Sequence, residues 1–256
     1  MNNNKKQMNI LESCDKDLFM RLFSSPRTTP SEAFYLETST IPIRFIVMGR
    51  RLMFYWNILQ KPDVELVRQV FNGMKEFPTE NDWYGEVKED LVFCDIPFTE
   101  EEISHMSKLS FKKVVKDSIK RKTSEYLEDK IRQHSKTKDM EIKNNMCDYL
   151  QTNELSTDDK RLLFKLRCRM TNNKSNFKNL HTNKLECRLC EDANSQETLT
   201  HLTKCPFLVT KVEGISDLHQ DDIFGELSAQ VKAVKVWREV FACLDEVDTA
   251  KCTDDE

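Results

Sequence analysis

The chain has 256 residues, of which 39% are apolar and 32% charged, with a formal net charge of -4. That charged share exceeds the roughly 25% of an average globular domain. Only 5 Gly and 7 Pro are present, which excludes collagen-like and Pro/Gly low-complexity chains and argues against Gly-rich phosphate loops. Length sets a prior of one or two domains.

Met1 to Asn9 is polar and has no apolar signal core, so the expectation is an intracellular chain, nuclear or cytoplasmic, with reduced thiols. Asp15 to Phe23 predicts a short helix, and Ser24 to Pro30, with two prolines, a turn. Ser31 to Glu37 reads as a helical turn. Pro42 opens a long helix to about Gln60, since proline is tolerated in a first turn. Ile41 to Leu59 is interrupted by Arg44, Arg50 and Arg51, so it predicts a partly buried helix and no membrane span. Asp63 to Lys75 predicts a helix with Val64, Val67, Val70, Phe71 and Met74 on one side. Asn81 or Asp82 caps a further helix carrying Trp83, Val87 and Leu91.

From Glu100, the spacing of Ile103, Met106, Leu109, Val114, Ile119, Tyr126, Leu127 and Ile131 predicts one long helix. Its other face is basic, with Lys108, Lys112, Lys113, Lys116, Lys120, Arg121 and Lys122. Ser135 to Asn145 reads as a polar linker. Ser156-Thr157-Asp158-Asp159 resembles a capping box. It opens a helix expected to bury Leu162, Leu163, Leu166 and Met170 and to expose Arg161, Lys165, Arg167 and Arg169. The last helix is expected over about Asp221 to Glu246. Its apolar seam, Phe224 to Leu244, packs on the rest of the chain or on a partner helix.

The sharpest motif is Cys187-x2-Cys190-x10-His201-x3-Cys205. The first pair forms a knuckle, and a short helix over Glu197 to Lys204 would place His201 and Cys205 on one face. Three thiolates and one imidazole close a tetrahedral shell around one zinc ion, a structural arrangement without an open position. The remaining cysteines, Cys14, Cys94, Cys147, Cys168, Cys243 and Cys252, lack such partners and read as free thiols. Basic and aromatic residues precede and enter the knuckle: Arg161, Lys165, Arg167, Arg169, Lys174, Phe177, Lys178, Lys184 and Arg188. Cations neutralise phosphates and an aromatic ring stacks on an unpaired base, so these are candidate RNA or DNA contacts.

No Gly-rich phosphate loop, Gly-x-Ser-x-Gly elbow or His-Glu-x-x-His pair occurs. Asp158-Asp159, Asp221-Asp222 and Asp254-Asp255 read as helix caps and an acidic tail, in preference to a two-metal site. The expectation is therefore a non-enzyme without a small-molecule substrate. Charge is segregated. Residues 105–184 hold 20 Lys/Arg against 10 Asp/Glu, and residues 213–256 hold 4 against 12.

Several runs resemble one family. They are Pro26 to Thr38, Ile41-Pro42-Ile43-Arg44-Phe45, Arg50-Arg51-Leu52, Asp82-Trp83, Val87 to Leu91, Lys165 to Met170, Asn176-Phe177-Lys178, Thr200 to Pro206 and Asp222-Ile223-Phe224-Gly225. Together they resemble the region after the palm of non-LTR (LINE-type) retrotransposon reverse transcriptases, over about Leu22 to Leu244. The resemblance implies a mainly α fold: a helical thumb-like region (1–98), a basic helical connecting region (99–184), a Cys-Cys-His-Cys zinc knuckle (185–212) and a C-terminal amphipathic helix with an acidic tail (213–256). It also implies a grip on template RNA and target DNA. The family's Tyr/Phe-x-Asp-Asp palm motif is absent, so no polymerase or nuclease site carries over; Cys187, Cys190, His201 and Cys205 carry over as metal ligands. The alternatives are a zinc-stabilised protein-interaction module and an inactive genomic relic.

Overall fold

The computed structural model describes residues 3–79, 82–177, 185–190 and 195–253. The fold is mainly α. Among the described residues there are twelve α-helices and no strand, only an isolated antiparallel bridge between Glu186 and Gln196. In chain order the helices are α1 (Asn3–Phe23), α2 (Ser31–Thr38), α3 (Ile43–Leu59), α4 (Leu66–Glu76), α5 (Trp83–Phe93), α6 (Glu100–His105), α7 (Lys108–Gln133), α8 (Asp148–Gln151), α9 (Thr157–Arg167), α10 (Leu199–Leu202), α11 (Pro206–Lys211) and α12 (Leu227–Thr253). They fall into two compact units that are not consecutive in sequence. One is Met1–Leu18 with Thr40–Lys130, and the other is Phe19–Ser39 with Ile131–Glu256. No helix among the described residues is long and apolar enough to cross a membrane.

In the first unit, α3 places Phe45, Leu52, Tyr55, Ile58 and Leu59 on its buried side, the three-to-four spacing of a helix face. That face meets α4, α5 and α6. Phe71, Val87, Ile103, Phe111, Val115 and Ile119 complete the core. Arg51 of α3, one of the charges that break the apolar run, is paired with Glu86 at 3.2 Å and Asp90 at 3.1 Å, both on α5. Asp82 caps α5 by accepting from the Gly85 amide.

Three expectations are corrected here. Helix α1 starts a dozen residues before Asp15. On α4 only Phe71 is buried; Val64, Val67 and Val70 are exposed, so the apolar side read from spacing is largely a surface. The long helix from Glu100 is two helices. Thr99 and Glu102 form a capping box that starts α6, and the Trp56 indole N–H donates to the Met106 carbonyl at 3.1 Å, so that carbonyl is satisfied from outside. The Ser107 hydroxyl then accepts from the Ser110 amide at the start of α7. The buried face of α7 is Phe111, Val115, Ile119, Thr123 and Leu127, while Leu109 is exposed.

In the second unit, four phenylalanine rings pack together. Phe34 lies 5.4 Å from Phe19 and 5.2 Å from Phe164, and Phe23 lies 4.3 Å from Phe164. The box at Ser156 and Asp159 caps α9 as the sequence suggests. Residues 134–147 contain no helix, yet Thr137 and Met140 are buried, so the polar stretch is packed. Helix α12 contacts α8, α9 and a 3-10 turn at Gln220–Ile223, burying Val234, Trp237, Val240 and Leu244.

Candidate metal centre

The ligand-bearing loops are brought together by backbone pairing. The Glu186–Gln196 bridge is flanked by the Cys187 amide donating to the Ser195 carbonyl at 2.9 Å and the Glu197 amide donating to the Leu185 carbonyl at 2.8 Å. Thr198 caps α10 through the His201 amide. The expected shared helix face for His201 and Cys205 is not formed. Helix α10 stops at Leu202, and Cys205 is the N-cap of α11, whose first residue is Pro206. The chain turns between the two ligands, and they converge nonetheless.

Cys187, Cys190, His201 and Cys205 lie together, with one ligand atom from each within 4.8 Å of all the others. The Cys187 and Cys205 sulfurs are 4.0 Å apart, and the Cys190 sulfur is 3.4 Å from His201 Nε2. A tetrahedral ion with metal–sulfur bonds of about 2.3 Å and metal–nitrogen bonds of about 2.0 Å needs edges of roughly 3.8 and 3.5 Å. The donor set thus fits one metal ion. Burial pushes the Cys187 thiol up to about 12, against the opposing backbone amides of Cys190 and Leu189. It raises Cys205 as well. A metal here must therefore displace protons.

The spacing gave no signal for the carboxylate that holds the site, Glu197, which is fully buried. It accepts from Arg188 Nε at 2.9 Å, Arg188 Nη2 at 2.6 Å, the Arg188 amide at 3.1 Å and the Lys174 amide at 2.9 Å. Burial alone would raise its pKa, but the Arg188 guanidinium and the two amides outweigh burial and hold it below the usual carboxylate range. This hub ties the Cys187–Cys190 loop to the chain leading into α10 and to residues 172–174.

Of the six described basic residues expected to meet phosphates, five have partners within the chain and two of those five are buried. Arg167 is buried, not exposed. It donates to Glu37 at 2.8 Å and to the Ile223 carbonyl at 2.6 Å. Arg188 is buried on Glu197 and also meets Asp248. Arg161 donates to the Leu22 carbonyl and pairs with Asp158, and Arg169 pairs with Asp139. Lys174 Nζ donates to the Glu186 carbonyl at 2.9 Å. Lys165 is half-buried, and the Phe177 side chain lies outside the described residues. Lys178 and Lys184 lie outside the described residues. The exposed cations are elsewhere: Lys108, Lys112, Lys113, Lys116 and Lys120 on α7 are all exposed and make no ion pair among the described residues.

Of the acidic pairs, Asp159 and Asp222 accept from the Ser156 and His219 amides, the capping role expected of them. Cys94, Cys147 and Cys168 are free and buried, Cys243 is free and partly buried, and Cys14 is free and exposed. No known protein family, curated protein or solved structure matches the chain.

Proposed function

We propose that the chain is a non-catalytic nucleic-acid-binding protein of the kind found after the palm in non-LTR retrotransposon reverse transcriptases. One structural zinc ion is held by Cys187, Cys190, His201 and Cys205. Three soft thiolates and one imidazole in a closed tetrahedral set favour zinc, which has no geometric demand that the set would violate. RNA or single-stranded DNA is bound through phosphates, a role suited to the nucleus or cytoplasm.

The observation that carries the binding is the lysine row on α7. Lys108, Lys112, Lys116 and Lys120 recur every four residues, so they share one face along roughly 18 Å of helix. Only Asp117 interrupts the charge over that span. A line of exposed cations with a single carboxylate among them attracts a polyanion and releases its counterions on binding. The expected binding falls steeply with salt and shows little sequence preference.

The test is a salt titration of single-stranded RNA binding by the wild type and by a variant with those four lysines changed to glutamine. For single strands each phosphate contact contributes about 0.7 to the salt slope, so the variant should lose up to about 3 units of slope. Binding that is absent or indifferent to salt in the wild type removes the reading. A protein-interaction module is the second reading. It is favoured by the exposed Leu66, Val67 and Val70 on α4 and the exposed Val64 and Phe77 flanking it, since exposed apolar side chains gathered on one element suit an interaction site.

A further inference from the structure

A cavity of about 420 Å³ lies beside the ligand cluster in the second unit. That is within the roughly 300–1,000 Å³ of small-ligand sites. Its walls come from the end of α9, the segment leading to Phe177, α10 and the turn after it, residues 218–224 and α12. No aspartate or glutamate lines it. Arg169, Lys204 and His219 do, and Phe224 and Trp237 supply aromatic surface. Trp237 is held by the core at 5% exposure, so the surface it offers the cavity is preset.

The polar groups differ in what they have left to give. Arg169 is engaged by Asp139. Lys204 is exposed and has no carboxylate partner among the described residues. It also sits between His201 and Cys205, so a metal held by those two ligands would fix the backbone on both sides of it. Asn176 lines the cavity and donates its amide hydrogens to Thr171 and Asn173, so its carbonyl oxygen is the group it has left to offer. Aromatic surface, an amide acceptor, a cation at the rim and no carboxylate suit a flat heteroaromatic ring joined to an anion. An acidic peptide side chain would satisfy the cation and leave the rings unused.

We propose that this cavity takes one unpaired nucleotide, its base against Trp237 and Phe224 and its phosphate at Lys204. The inference deepens the nucleic-acid reading and rests on it: the cavity would hold one base of a bound strand.

The test uses the full chain supplied with zinc and labelled with 5-fluorotryptophan, which gives three fluorine resonances for Trp56, Trp83 and Trp237. Titration with adenosine monophosphate should shift the Trp237 resonance saturably. Adenosine alone and inorganic phosphate alone should act at least about 10-fold more weakly, because each supplies half of the contacts. Lys204→Glu should weaken the nucleotide about 10-fold or more, and Lys204→Arg should retain it. An unmoved Trp237 resonance, or phosphate acting as well as the nucleotide, overturns the proposal. A second arm compares a single-stranded oligonucleotide with the same strand carrying abasic sites. Tighter binding of the intact strand supports the cavity. Equal binding of both overturns the cavity and leaves the lysine row intact. Absence of strand binding alongside a nucleotide-shifted Trp237 removes the strand reading and keeps the cavity.

Discussion

The two units are stabilised by different means. The first is an apolar and aromatic core in which α3, α4, α5, α6 and α7 bury Phe45, Leu52, Tyr55, Phe71, Ile103 and Phe111. The second has its own phenylalanine cluster, but it also buries ion pairs with both partners nearly solvent-free, whereas in the first unit the buried Asp90 meets an Arg51 that keeps some exposure. Arg167 and Glu37, 130 residues apart in sequence, are paired at 3% and 1% side-chain exposure, and Arg188 and Glu197 at 5% and 0%. It adds a Cys3His cluster. The first kind of core tolerates conservative apolar replacement. A buried ion pair does not tolerate loss of one partner, because the remaining charge has no water and no counter-charge. The contrast teaches that the two halves of this chain should fail under different perturbations.

The largest separation is expected from the metal ligands. Cys205→Ser should unfold the segment around α10 and α11, because structural zinc sites in small peptides contribute apparent binding free energies of about 10–16 kcal/mol. Circular dichroism with and without zinc should show a metal-dependent gain in the wild type that the variant lacks, with the first unit's helices retained in both.

Next is the buried pair. Glu37→Leu leaves Arg167 charged and unpaired, and denaturant unfolding should show a loss of about 3–5 kcal/mol. Glu37→Leu combined with Arg167→Met should recover most of it, as apolar replacement of a whole buried pair is often neutral. If the double variant is no better than the single one, the pair holds the fold by more than charge compensation.

Phe111→Ala probes the other unit. Its ring is fully buried on α7, and its loss should cost about 3–5 kcal/mol while zinc content stays unchanged. A drop in zinc content would mean that the two units do not fail separately.

The smallest expected effect is a pH dependence. Burial raises the Asp90 carboxyl to about 6; Arg51 opposes the shift, and Glu86 and Glu89 add to it. Its folded pKa therefore lies above the unfolded value of about 3.9. Protonation stabilises the fold, so Asp90 contributes most below pH 4, and that contribution is lost as pH rises through about 6. Unfolding of the wild type between pH 4 and 6.5 should show a decline on the order of 1–3 kcal/mol from this group, and Asp90→Asn should flatten it.

Part of the first unit was legible because helical spacing reports which side is apolar, as on α5, where Val87 is buried and Trp83 and Leu91 pack against the core. The reading went wrong on α4, where spacing identifies a stripe but not whether anything covers it: Phe71 is buried and its valine neighbours are not. It also ran α6 into α7, since the break depends on Trp56, fifty residues away, reaching the Met106 carbonyl. In the second unit the four ligands were legible from two short spacings. The helix joining His201 to Cys205 was not, because Pro206 starts a new helix immediately after the ligand. Least legible were the arginines. A local sequence shows Arg167 among basic neighbours and suggests a surface, whereas Glu37 waits far upstream in the chain. Long-range pairing of charge has no periodic signature.

Hydrogen exchange measured by mass spectrometry on the reduced, zinc-supplied chain, before and after a chelator, tests the central claim most directly. The account predicts that chelation removes protection from the peptides covering Cys187 to Cys205 and from α11, while peptides of α3 and of α7 around Phe111 keep theirs. An exchange pattern indifferent to the chelator, or one that collapses equally in both units, would contradict it.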